Sequence, residues 1–134
     1  MDKNLVKKDL LLIREAVRVL GNSYAPYSGI HVAAALLTDK GSIYRGVNVE
    51  NSSYGLTICA ERTAIAAMVT AGERKPLAIA IVTDYKKPIP PCGACRQVLA
   101  EFNPDIRVIM HSVKNGETIV KSLGELFPQP FIID

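Results

Sequence analysis

The stretch LAIAIVT, residues 77–83, is apolar without a break and partly β-branched. A strand that alternates apolar and polar residues keeps one face in water, whereas a strand with no polar side is covered on both faces. A chain that contains such a strand needs a layer on each side of its sheet. The rest of the pattern supplies those layers. Residues 4–20 place Val6, Leu10, Ile13, Val17 and Leu20 at three- and four-residue spacings, which predicts an amphipathic helix with that stripe in the core, stopped at Gly21-Asn22. VAAALLT (32–38) and IYRGVNV (43–49) flank Asp39-Lys40-Gly41 and read as a hairpin. The apolar run 58–69 is long enough for a buried helix, ended by Ala71-Gly72, and 94–102 reads as another helix. IRVIM (106–110) and ETIVK (117–121) are strands about an Asn115-Gly116 turn, and a short helix follows near residues 123–126. The order α-β-β-α-β-α-β-β-α predicts an α/β fold, a three-layer α/β/α sandwich around a central mixed five-stranded sheet.

The 134 residues, 49% hydrophobic and 22% charged, suit one domain over 1–134 with a core that needs no staples. Net charge is +3, but the basic residues come in ones and twos (Lys7-Lys8, Arg74-Lys75, Lys86-Lys87) with acids between them. That is a solvated surface and not a track for nucleic acid. The opening MDKNLVKKDLLLIREAV carries charge through its apolar residues, so neither a signal peptide nor a membrane span is expected there. A cytoplasmic location with reduced thiols is expected, and an odd cysteine count argues against a disulfide framework.

All three cysteines fall in two short stretches: Cys59 in TICAERTA (57–64), Cys92 and Cys95 in PPCGACRQ (90–97). Each stretch opens a predicted helix, where unpaired N–H groups and the dipole favour thiolates. Three thiolates meeting there would hold a zinc ion. A closed structural site has four protein ligands and a catalytic one keeps three, so the count points to an open position unless His31 or His111 supplies a fourth. Neither histidine sits at a motif-like spacing, and each reads as an ordinary core or surface residue. A C-x-x-C pair alone also occurs in structural zinc modules and redox proteins. Glu61 alone also has a plain reading, an acid in the first turn of a helix. The joint pattern Cys-Ala-Glu with Pro-Cys-Gly-Ala-Cys resembles the zinc deaminases of nucleobases, where a glutamate that is not a ligand moves protons.

Further matches narrow the resemblance. YAPYS (24–28), GVNVENSSYG (46–55), TICAERTA, PPCGACRQVLAEF (90–102) and LGELFP (123–128) closely resemble the small, three-cysteine type of cytidine deaminase over most of the chain. The resemblance implies one zinc per subunit on Cys59, Cys92 and Cys95, with Glu61 as the catalytic proton shuttle. It implies that Arg62 offsets the thiolate charge, with Gln97 a weaker candidate and Arg96 either a helper or a surface residue. It assigns the ribose hydroxyls to Asn48 and Glu50, which without it would read as strand-end residues, and the base edge to backbone near Ala60 and Pro91. The family places a phenylalanine over the base where this chain has Ile30. Its tail phenylalanine, here Phe131 in PQPF, reaches into a neighbouring subunit's pocket, which implies a homotetramer with shared active sites.

The implied reaction is hydrolytic deamination of cytidine and 2′-deoxycytidine, in pyrimidine salvage, with a small-molecule nucleoside as the partner and neither nucleic acid nor membrane. Ile30 leaves a second reading open, a deaminase of a modified cytosine nucleoside or an antibiotic such as blasticidin S. A non-enzymatic zinc-binding interaction module is the reading from a different class. A polynucleotide editor would need a basic track that this sequence lacks.

Overall fold

The structure is a computed structural model that describes residues 5–134. Helix α1 (Lys7–Leu20) leads to strands β1 (Val32–Thr38) and β2 (Ile43–Val47), then a single 3-10 turn (Tyr54–Leu56) and helix α2 (Ala60–Thr70). Strand β3 (Pro76–Thr83), helix α3 (Gly93–Phe102), strands β4 (Arg107–Ser112) and β5 (Thr118–Ser122) and the short helix α4 (Leu123–Leu126) complete the chain. The predicted order of elements is the observed one. Its predicted start for the first helix, at residue 4, lies outside the described residues.

The sheet order is β2-β1-β3-β4-β5, with β3 and β4 parallel and every other pair antiparallel. The apolar run of residues 77–83 is the central strand β3. On one face Ala34, Leu36, Ile79, Ile81, Val108 and Met110 pack with Ala64, Met68 and Leu99 of α2 and α3. On the other, Ala33, Ala35, Ala78, Ala80 and Val82 pack with Leu12 and Ala16 of α1. The small alanines let α1 lie close to the sheet. The α/β/α sandwich and its mixed five-stranded sheet are as expected.

Two local expectations change. The predicted core stripe of α1 is only partly the buried one: Ile13 and Leu20 pack against the core, but Val6, Leu10 and Val17 are exposed, while Asp9, Leu12, Glu15 and Ala16 are buried. Arg107 grips both oxygens of Asp9 at 3.0 and 2.7 Å, and Arg45 bonds Glu15, so two paired acids face the sheet side in place of part of the apolar stripe. The second strand ends at Val47 rather than Val49. Asn48 leaves the ladder because its side chain takes up backbone groups of residues 30 and 32, and Val49 forms only isolated bridges to Tyr24 and Ile58.

Candidate active site

Helices α2 and α3 begin at N-cap residues Cys59 and Cys92, and neither side chain makes a capping hydrogen bond to its own helix. Ser, Asp or Asn there would stabilise each helix by about 1 kcal/mol. Sulfur at both caps therefore serves another purpose. Cys95 lies one turn into α3, on the same side as its cap. The three Sγ atoms all lie within 4.8 Å of one another, and Cys59 Sγ is 3.9 Å from Cys92 Sγ. Zinc–sulfur bonds of about 2.3 Å at tetrahedral angles place two sulfurs about 3.8 Å apart, so the cluster fits that ion. Among the described residues no fourth ligating side chain joins it. His31 directly precedes β1, and its Nδ1 lies 2.7 Å from Asp84; His111 is in β4 and bonds Thr118.

Arg62 donates from its guanidinium to Cys59 Sγ at 3.6 Å and to the Thr57 carbonyl at 3.5 Å. Its Nε is buried without a partner among the described residues, an unspent donor beside anionic ligands. As free thiols the cysteines split their acidity. Cys59 is lowered to about 5, first by a hydrogen bond from Cys95 and then by Arg62 and Cys92, whereas Cys95 is pushed up by that same bond and by burial. Glu61, 4% exposed in the first turn of α2, has its carboxyl raised to about 7, chiefly by burial and also by the Cys59 charge. Such a group can hold or release a proton at neutral pH.

Beside the cluster lies a cavity of about 250 Å³, at the small end for ligand sites. Glu61, Cys59, Cys92 and Ala60 form one side, with Asn48, Glu50, Ser28 and Thr57 as its other polar groups and Ile30, Val32, Ile58, Ile81, Ile89 and Pro90 as apolar walls. Asn48 Oδ1 accepts from the Val32 amide and its Nδ2 donates to the Ile30 carbonyl, each at 3.0 Å. Glu50 accepts from the amides of Tyr27 and Ser28 and from the Ser28 hydroxyl. The Ser28 hydroxyl first, then the two amides and His31, keep its carboxyl below the usual range despite some burial.

Gln97, Arg96 and Pro91 are engaged elsewhere, and Phe131 stands free of its own chain's cavity, as a residue meant for a neighbouring subunit would. Gln97 donates to the Phe131 carbonyl at 2.7 Å instead of reaching the sulfurs. Arg96 donates to the carbonyls of Pro91 and Leu126, because with Cys95 turned inward its successor on the helix faces α4. The Pro91 carbonyl is thus engaged, and Ile89 and Pro90 meet the cavity in its place. Phe131 is 73% exposed and lies outside the cavity of its own chain. Ser28, Thr57, Ile89 and Pro90 were not singled out from the sequence. Ser28, Thr57 and Pro90 lie within YAPYS, TICAERTA and PPCGACRQ, and Ile89 directly precedes the last of these, which was their only signal there.

Residues 6–112 match the family model described as the cytidine and deoxycytidylate deaminase zinc-binding region. The chain belongs to that family. It is an enzyme, and zinc is its cofactor. Among its cytidine deaminase relatives, that of Halalkalibacterium halodurans is 48% identical over 122 residues, covering 90% of this chain and 92% of the relative. The crystal structure of the cytidine deaminase from Burkholderia pseudomallei superposes with a TM-score of 0.87 at 43% identity, covering 95% of this chain and all of the other. A blasticidin-S deaminase from Bacillus cereus is more distant, 29% identical over 133 residues and 93% of each chain.

Proposed function

We propose that this chain hydrolyses cytidine and 2′-deoxycytidine to uridine and 2′-deoxyuridine with release of ammonia. The observation that carries the reading is a buried carboxyl, Glu61, facing a small cavity beside three clustered thiols. Cys59, Cys92 and Cys95 are the zinc ligands in this reading. Zinc held there would supply Lewis acidity that lowers the pKa of a water to ~7.

Glu61 takes a proton from the water that attacks C4 and delivers it to N3 of the ring; it then takes the remaining proton from the new C4 hydroxyl and passes it to the departing amine, so that the C4–N bond breaks with ammonia and not amide ion leaving. Arg62 balances the charge of three thiolates, which would otherwise weaken the acidity of the site. Asn48 and Glu50 hold the sugar hydroxyls. Asn48 is buried and Glu50 half-buried, and a substrate without a sugar forgoes the bonds that its hydroxyls add to them, so free cytosine is a poor substrate. Ile30 covers the base, and backbone at Ala60 meets its edge. Phe131 serves a neighbouring subunit of a homotetramer. The setting is a single domain in the cytoplasm, in pyrimidine salvage.

Ile30 supports the second reading, since an aliphatic wall covers a ring without stacking on it, and the Bacillus cereus relative has the matching name. The greater identity to cytidine deaminases favours the first. Ultraviolet absorbance on adding the zinc-loaded protein to cytidine, 2′-deoxycytidine or blasticidin S separates them. Cytidine turnover is expected, with Glu61→Gln lowering kcat by about 10³-fold while zinc content is unchanged. Turnover of blasticidin S alone transfers the assignment to the antibiotic. No turnover of any, with full zinc content, leaves the interaction module.

A further inference from the structure

His31 sits just ahead of β1, between Ile30 and Val32, whose side chains both line the cavity. Side chains alternate along extended chain, so the ring turns away from the cavity, toward Asp84. Asp84 follows β3 directly and heads the loop that brings Ile89, Pro90 and Cys92 to the same cavity. The β1–β3 ladder runs out at the pair Val32 and Thr83. The Asp84 amide, which donates to the His31 carbonyl at 3.3 Å, and the Asp84 carboxylate carry it one residue further. Its Oδ1 accepts from the His31 amide at 2.9 Å, its Oδ2 lies 2.7 Å from His31 Nδ1, and the Thr83 hydroxyl donates to the His31 carbonyl at 3.0 Å. On the other side of this strap, Asn48 bonds the Ile30 carbonyl and the Val32 amide.

We propose that the His31–Asp84 pair is a positioning clasp for the nucleoside site. It fastens the Ile30 wall to the base of the loop that carries the Ile89–Pro90 wall, so that two cavity walls contributed by distant segments keep one spacing. Asn48 is then free of sole responsibility for the strap and keeps the orientation in which it meets the sugar. This use rests on the proposed reading of the cavity as a nucleoside site. The two side chains are 37% and 39% exposed, so the pair adds little to global stability. Its effect belongs in substrate binding and not in melting temperature.

The test compares wild type, His31→Leu and His31→Asn by cytidine kinetics, thermal melting, and hydrogen exchange of the amides in residues 28–32 and 84–92. Asn sets a donor at nearly the place of Nδ1, so it is the rescue variant. The expected result is a KM for His31→Leu about five- to tenfold higher with kcat within about twofold, a KM for His31→Asn near wild type, and faster exchange only in His31→Leu. An unchanged KM in His31→Leu overturns the clasp. So does a large fall in melting temperature with kcat and KM degraded together in both variants, which assigns a merely structural role. If wild type does not turn over cytidine, it is the nucleoside reading that fails. Hydrogen exchange then decides the clasp alone, and equal exchange in wild type and His31→Leu overturns it.

Discussion

Glu15 lies in the middle of α1 on the side turned to the sheet, and its carboxylate accepts from Arg45 Nε at 3.1 Å and from Arg18 at 3.0 Å. Arg45 first, and then Arg18, hold its carboxyl below the ordinary value of 4.5. A carboxyl depressed on folding contributes stability that is present above its unfolded pKa and lost as pH falls through the folded one. The wild type should therefore lose melting temperature more steeply than Glu15→Gln as pH is lowered from 7 to about 3, and should be the more stable of the two at pH 7. Thermal melts by circular dichroism at a series of pH values check this, and parallel curves would show that Glu15 is not a native-state acid anchor. At this scale the sequence was legible where a residue acts through its own position on an element. Cys59, Cys92 and Glu61 lie at helix starts, and their joint pattern, together with its resemblance to the zinc deaminases, brought them into view. It offered Gln97 and Arg96 as partners of the sulfurs but could not reveal the carbonyls they bond instead, since which carbonyl a long side chain finds depends on α4 and the tail, about thirty residues further along.

The contact between β2 and α2 shows how elements aim the site. A Cβ built on Gly46 would stand 2.4 Å from the Ala64 nitrogen and 2.5 Å from the Ala60 carbonyl, closer than backbone atoms can yield. The first turn of α2, which carries Glu61 and follows Cys59, rests directly on that bare strand. Thr63 ties the same turn down, its hydroxyl near the carbonyls of Val47 and Cys59 at 3.1 Å each. Gly46→Ala should cost ~1–3 kcal/mol in denaturant melts. It should also lower kcat/KM for cytidine at least about tenfold, because a small displacement of reacting groups is expensive. Gly21→Ala, which meets nothing within 4 Å, is the control and should match wild type in both. Equal behaviour of the two variants would mean that α2 shifts freely. The hairpin and the existence of α2 were readable from period and turn residues. The need for glycine at 46 was not, because it arises from an approach between segments.

Across the whole molecule, Tyr54, Leu56, Phe131 and Ile133 are more than 70% exposed. Tyr54 borders a second cavity of about 350 Å³ that shares Ser28, Glu50 and Thr57 with the first. Large apolar side chains gathered near a binding cavity and on a tail are what a subunit interface leaves on a lone chain. The homotetramer proposal expects sedimentation at about four times the 14.6 kDa chain mass. It also expects Phe131→Ala to raise KM about fivefold or more, measured above the concentration at which the assembly holds. A stable, fully active monomer in analytical ultracentrifugation would overturn it. No helix among the described residues is long and apolar enough to cross a membrane.

By itself the sequence determined the kinds and order of the elements, the doubly covered strand, and the two helix starts that bear sulfur. These are written in local periods of 2 and 3.6 residues and in cap positions, which a window of a few residues contains. Only the tertiary structure decided which face of α1 is buried, where the second strand ends, and which walls close the cavity. Asp9 meets Arg107 across 98 residues and His31 meets Asp84 across 53, and no local pattern marks either pair. Such partners exist only once the sheet has brought distant segments side by side. Two acids of α1 then become part of its buried face, and a histidine weighed at first only as a fourth metal ligand holds one wall of the site in the proposed clasp.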